Sequence, residues 1–424
     1  MSRPLFLAIL TFGLLLVGLA GARGEFMALA IPLVLYLLHG LLRGPERLDL
    51  EFHRTLSAER LAPGVPLQIT VTVANRGPAL EELVLTDVLP PALRIEEGER
   101  MHMLDLRRGA SYSWSYSVTA PRGSYALESV HARGCDHLGV VSASQTFQTF
   151  GHLFVFPSVA RLRRVSIHPR QTRVYAGSIP ARAGGAGTDF YGLRDYHPGD
   201  PPGWINWKVS ARHPDALYSN EFQQERVTDV AVILDGRERT NLFPAGHSLF
   251  EHSVLAAAAL ADAFISQGDR VGLLVYSNFL GWTWPGYGKL QRERILQALA
   301  HAQPGSSQVF SGLEHLRSGI FPPESQIVLV SPLVADDFQV LVQVRARGYR
   351  VMVVSPDPVM FEASYLAPGP QVDLAGRVLR MERVLLIRSL QRAGLQIVNW
   401  DVRQPFDQVV RSALRRQRTI GMPL

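Results

Sequence analysis

Of the chain's 424 residues only one is a cysteine, Cys135, and only two are lysines, Lys208 and Lys289. A single thiol cannot form an internal disulfide, so the fold needs no oxidising compartment. The positive charge is nearly all arginine, and the net charge of +6 is scattered along the chain. A nucleic-acid binder gathers its cations on one face. Neither a zinc-finger spacing nor a basic helical run is present, so no nucleic-acid partner is expected. The usual marks of catalysis are missing too. "AGGAG" (183–187) lacks the Lys-Ser/Thr of a phosphate loop and precedes no helical pattern, so it reads as a flexible joint. "HSLFEH", with His247, Glu251 and His252, is one residue too long for H-x-x-E-H. "GCDHLG", with Cys135 and His137, reads as a turn and not as a nucleophile–base pair. No cofactor is expected.

What is present begins with apolar length. Residues 5–22 and 26–42 are two hydrophobic runs, each about long enough to span a bilayer, joined by "ARGE". They predict a transmembrane helical hairpin over residues 1–47. Arg3, Arg43 and Arg47 flank it, which places both ends, and the body that follows, on the cytoplasmic side of the inner membrane. A cleaved signal peptide is the alternative for the first run, since Ala20 and Ala22 offer an A-x-A-like site. The second run would then remain as the anchor.

Beyond the hairpin the hydrophobic period changes twice. Over residues 48–157 it is two: "PLQITVTVAN" alternates Leu67, Ile69, Val71 and Val73 with polar neighbours, and "SYSWSYSVTAP" repeats the pattern. A β-sandwich of the immunoglobulin or fibronectin kind is expected there. Residues 158–226 read as an irregular linker. From 227 to 424 continuous apolar runs such as "VAVILD" and "QIVLV" alternate with helical patterns, predicting an α/β domain with a parallel sheet. A ligand in such a domain would sit at the carboxyl ends of the strands.

The densest chemistry lies in "FYGLRDYHPGDPPGWINWKVSAR". Arg194, Asp195, Tyr196 and Asp200 surround an HPGD turn, and Trp207, Lys208 and Arg212 follow it. Alternating ion pairs and aromatics suit a rigid brace or a partner-binding surface, in which Arg194 or Arg212 pairs with Asp195 or Asp200 and Trp207 is a buried anchor. His197 and His213 each precede a proline by one residue, with no nucleophile beside them.

This segment, with two apolar N-terminal helices, a β-domain and an α/β domain around it, resembles the bacterial and archaeal family called domain of unknown function fifty-eight. The weaker "CDHLGVV" and "VFP" extend the resemblance over nearly the whole chain. It implies a von Willebrand A-like α/β fold and, as partner, a MoxR-type AAA+ ATPase. Such folds often hold Mg²⁺ in a D-x-S-x-S loop. Here Asp235 stands at the first position, but Arg237 and Arg239 replace both serines, and Ser331-Pro332 stands where relatives tend to read Ser-Asp. Arginine gives a hard cation no oxygen, so a degenerate metal site is expected. Arg237 and Arg239 would be either solvated loop residues or a bidentate grip on a partner's carboxylate. Asp336 and Asp337 read as a helix N-terminus. The expectation is a non-enzymatic, membrane-anchored interaction protein. The rival is a metal-dependent hydrolase or nuclease.

Overall fold

The computed structural model describes residues 3–43, 47–135, 142–162, 173–213, 215–227, 229–306, 313 and 325–420. His137 of the "GCDHLG" turn lies outside them. The chain is mixed α/β and divides into two compact units, Met1–Phe156 and Pro157–Leu424.

The first unit begins with two helices, α1 (Arg3–Ala20) and α2 (Gly24–Arg43). A Cβ on Gly18 would lie 2.8 Å from Met27 Cγ, so glycine is what permits the two helices to approach there. Large apolar side chains such as Phe12, Leu19, Leu29 and Leu35 stay exposed.

The rest of this unit is β-rich. Strands β1 (Leu50–Leu56), β3 (Leu67–Asn75), β7 (Ser111–Thr119) and β5 (Arg94–Glu97) form one sheet in the order β1-β3-β7-β5. Strands β2 (Arg60–Leu61), β9 (Ser142–Val155), β8 (Gly123–Cys135), β4 (Leu80–Asp87) and β6 (Met101–Leu106) form the second, in that order. The alternation read from the sequence sets the pleat: Leu67, Ile69, Val71 and Val73 are all buried, in one core with Trp114, Leu83, Leu85, Leu127 and Leu153. Each such side chain contributes roughly 1.5–3 kcal/mol by leaving water. One polar cluster interrupts the core. The Arg54 guanidinium pairs with Asp87 and donates to the carbonyls of Leu127 and Thr149, each at 2.8 Å, while the Tyr116 hydroxyl donates to the same carboxylate. Burial, reinforced by the Asp87 charge, pushes the Tyr116 phenol well above its usual range.

The second unit opens with a two-stranded antiparallel ribbon, β10 (Arg173–Asp195) against β11 (Tyr218–Val227). The irregular linker expected at 158–226 is therefore largely a ribbon where described, and "AGGAG" lies in β10, with Gly184 opposite Gln223 and Gly185 opposite Phe222. Its register shifts repeatedly, as expected where glycines weaken side-chain pairing.

A mostly parallel sheet follows, built from β12 (Asp229–Asp235), β13 (Arg270–Tyr276), β14 (Leu280–Gly286), β15 (Gln326–Val330), β16 (Arg350–Pro356) and β17 (Gln396–Trp400). Its order is β14-β13-β12-β15-β16-β17, with β14 the one antiparallel strand among the described residues. Between these strands run α4 (Leu249–Ser266), α5 (Gly288–His301), α6 (Asp337–Ala346), α7 (Pro358–Ala363) and α8 (Pro370–Arg392), and α9 (Phe406–Ile420) ends the chain's described part. The α4 helix is apolar enough to cross a membrane, yet 72% of it is buried against the sheet, so it is a core helix.

Candidate functional site

The strand order reverses at β12: β13 lies on one side of it and β15 on the other. In an open α/β sheet the crevice at such a reversal, beyond the strands' carboxyl ends, is where ligands bind. Asp235 ends β12 and Ser331 follows β15, so the crevice opens between them. Ser331 Oγ donates to Asp235 Oδ2 at 2.6 Å and accepts the Leu333 N–H at 3.0 Å. Leu333 holds φ at 63°, an unusual left-handed conformation for a branched residue, and this brings the chain back toward α6.

Arg237 fills the crevice. Its Nε and Nη2 donate to Asp235 Oδ1 and Oδ2 at 2.9 and 2.8 Å, and its Nη1 and Nη2 donate to Asp337 Oδ1 and Oδ2 at 2.8 and 2.9 Å. One planar guanidinium thus forks onto two carboxylates at once. Thr240 Oγ1 adds a 3.2 Å contact to Asp235, and the Val334 N–H donates to Asp337 at 3.0 Å. Asp337 is the first residue of α6, where the helix dipole favours a negative charge. Asp235, Arg237 and Asp337 are all essentially out of contact with solvent. Burial alone would pull the Arg237 pKa down. Its bonds to Asp235 and Asp337 outweigh that and raise it.

Three readings change. Arg237 is neither a solvated loop residue nor a grip on a partner, because both carboxylates it can reach belong to its own chain. Asp337 does more than begin a helix. Ser331, beside Pro332, still bonds Asp235. The von Willebrand A-like resemblance implies a divalent cation here, but the residues do not fit one, since the two carboxylates that would ligate it are already bridged by a fixed cation. Arg239 lies outside this cluster, half exposed and 3.2 Å from the exposed Asp336.

A second buried arginine closes the neighbouring strand ends. Arg383 of α8 donates to the Pro332 carbonyl at 2.8 Å, to Ser355 Oγ at 2.9 Å and to Asn399 Oδ1 at 2.8 Å. Asp357, which caps α7 by accepting the Val359 and Met360 N–H groups, lies 3.4 Å from it. Nothing in the local sequence separates Arg383 from its exposed neighbours Arg377, Arg380 and Arg388. The "HSLFEH" side chains are packed rather than ligating: His247 stacks on Tyr365, and His252 meets Phe361 and Trp400 edge-on.

The motif at the ribbon's end is equally well built. Arg194 forks onto Asp200 at 2.8 and 2.6 Å, and Asp200 also accepts the His197 N–H at 3.0 Å and Ser219 Oγ–H at 3.2 Å. Gly199, at φ 110°, makes the HPGD turn possible. The Arg194 bonds, then the His197 N–H, hold the Asp200 carboxyl well below the usual range. Asn206 caps the four-residue helix α3 (Trp207–Ser210) by accepting the Val209 N–H, and Ser210 Oγ accepts the Tyr218 N–H. Tyr196 is half-buried and donates its N–H to the Leu217 carbonyl at 2.8 Å. Asp195, Lys208 and Arg212 are exposed.

Trp207 corrects the expectation of a buried anchor. It is 65% exposed, at the first position of a four-residue helix that offers its indole little to pack on. Residues 192–195, at the end of β10, pair with 218–221 of β11.

Comparison with known proteins shows what parts of the chain are similar to. The family described as "Protein of unknown function DUF58" matches residues 192–359. The Bacillus subtilis (strain 168) protein described as "Uncharacterized protein YeaD" is 26% identical over 249 residues, which cover 57% of this chain and 59% of that protein. The match thus spans less than two-thirds of that relative's length. Among solved structures, proximal thread matrix protein 1 of the mussel byssus shares 16% identity over 33% of this chain and 41% of its own, with a TM-score of 0.23. The cupredoxin domain of amoB from Nitrosocaldus yellowstonii shares 12% over 28% of this chain and 97% of its own, at 0.17. Scores this low support no argument about the chain.

Proposed function

From the premise that residues 192–359 are a DUF58 domain, we propose that the chain is a membrane-anchored, non-enzymatic interaction protein. In this reading α1 and α2 are a transmembrane hairpin. Their described apolar stretches, Leu5–Ala20 and Gly24–Leu38, are shorter than a full span, so the reading leans on the flanking residues of both helices to complete it, and their exposed leucines and phenylalanines would face lipid. Arg3, Arg43 and Arg47 put the body in the cytoplasm. The two β-sheets serve as an immunoglobulin- or fibronectin-like spacer, and the parallel sheet with its antiparallel edge strand is a von Willebrand A-like domain.

The observation that carries the interaction reading is the ribbon's end. An exposed tryptophan, with exposed Lys208 and Arg212 near it, opens the Asn206-capped helix α3, a few residues after the turn held by the Arg194–Asp200 fork. Tryptophan and arginine on a rigid support are what interface hot spots are made of. The non-enzymatic reading is supported by the crevice at the strand reversal, where the chain's own guanidinium bridges the carboxylates a reaction would need. The family resemblance supplies the partner class, a MoxR-type AAA+ ATPase.

The test uses the full chain in detergent and a purified MoxR-type ATPase from the same cell. Trp207→Ala should weaken the complex by about tenfold or more, and Arg194→Ala should weaken it while the melting temperature holds. Complex formation indifferent to both changes would move the partner surface elsewhere, and no complex at all would remove the ATPase from the proposal. For topology, a cysteine placed after Arg47 should be shielded from an impermeant thiol reagent until cells are opened.

A further inference from the structure

Helix α8 carries a second apolar stripe that its own fold does not use. Arg383 and Leu390 point into the unit and fix the helix there. At ~100° per residue, Leu374 lies about 180° from Arg383. Around Leu374 stand Val378, Met381 and Leu385, spaced four, three and four residues apart. They are 65%, 50%, 69% and 63% exposed, which is far from ordinary for four large apolar side chains in one row. Val384 and Leu379, 44% and 45% exposed, flank the row, but its four members are the most exposed apolar side chains of the helix and keep the four-three-four spacing of a coiled-coil seam.

We propose that this stripe is the contact between two copies of the chain, with the α8 helices parallel. In heptad terms Leu374 and Met381 take d, while Val378 and Leu385 take a. Val378 at a and Leu374 at d follow the pattern that favours two strands, while Leu385 at a and Met381 at d add apolar area without selecting the strand number. The flanking charges complete the register. Arg377 falls at g and Glu382 at the following e, five residues on, and both are exposed. In a parallel pair each g residue faces that e residue of the other helix, so Arg377 of each copy meets Glu382 of the other. An antiparallel pair would set Arg377 against its own equivalent. The row covers fewer than two full heptads, too few for isolated helices. The opposite face of α8 is already held by the Arg383 bonds, however, so association need not include the cost of forming the helix.

The test is made on the full chain in detergent with Cys135→Ser as background. Under mild oxidation Val378→Cys should give at least about tenfold more covalent dimer than Arg380→Cys, since facing a positions lie within disulfide reach. In sedimentation, Arg377→Glu should lower the dimer fraction and adding Glu382→Arg should restore it. All these positions are exposed, so tryptophan emission and melting should match the background and serve as the folding control. Equal cross-linking of the two cysteines, or a charge reversal without rescue, overturns the parallel pair. A monomer in which Val378→Cys is shielded from a bulky maleimide only by anionic vesicles assigns the stripe to lipid and also overturns it.

Discussion

Removing the Arg237 guanidinium is the most direct test of how the crevice is held. Arg237→Ala leaves Asp235 and Asp337 facing each other in a solvent-free pocket, with only Ser331, Thr240 and backbone N–H groups to satisfy them. Breaking a buried ion pair by deleting one partner costs about 3–5 kcal/mol, mostly because a charge stays buried without compensation. At ~2–4 °C per kcal/mol for a unit of this size, the second unit should melt about 6–20 °C lower. Arg237→Lys should recover little, since one ammonium cannot fork onto both carboxylates. Arg237→Ser is more informative. It opens the space between two carboxylates and two hydroxyls, which are oxygen ligands suited to Mg²⁺. If the new site binds with a dissociation constant near 1 mM, 10 mM Mg²⁺ adds about 1.4 kcal/mol of stability, and the parent gains nothing there. The assay is tryptophan-monitored thermal unfolding of the full chain in detergent, with and without Mg²⁺. An Arg237→Ala variant that melts within about 2 °C of the parent would refute the reasoning, because the two carboxylates would then need no cation between them.

Other expectations are simpler to test. Tyr116→Phe deletes a hydrogen bond to a buried carboxylate and should lower stability by about 1.5–3 kcal/mol in denaturant unfolding followed through Trp114. Because burial raises the Tyr116 phenol above its unfolded value of about 10, its contribution is complete below that pH and is lost as the pH rises toward the folded value. Trp207→Ala should shift stability by less than about 0.5 kcal/mol, since most of the indole is already in water. The Asp200 carboxyl is depressed, so the Arg194 fork should stay closed at every pH above the ordinary carboxylate value of about 4 and open only as the pH falls below it. Amide exchange at His197, whose N–H donates to Asp200, should report that opening and should quicken in Asp200→Asn at neutral pH.

How far these features were legible depends on whether their cause is local. Strands β3, β12, β15 and β16 could be read directly, because a half-buried or fully buried strand writes its burial into consecutive residues. The Arg194–Asp200 fork was legible for the same reason: both residues lie within one turn that Gly199 permits. Strand β10 was not. Its Gly, Ala and Pro carry little strand propensity, and its pairing partner β11 begins more than twenty residues later. Trp207 misled because an indole usually buries its area, while a four-residue helix gives it little to pack on.

Arg237 shows the limit most clearly. From sequence its charge argues for solvent, and that argument fails only because Asp337, one hundred positions away, arrives beside Asp235 when β15 takes its place next to β12. The same fold step creates the crevice and closes it, since the strand reversal that would admit a ligand also brings the second carboxylate to the guanidinium. A residue type that excludes a metal when read alone thus becomes, in three dimensions, a cation supplied by the chain itself. The crevice then holds its cation without any bound ion, and in the proposed reading a partner meets the domain on its surface, at the short helix that carries Trp207 and the outer row of α8.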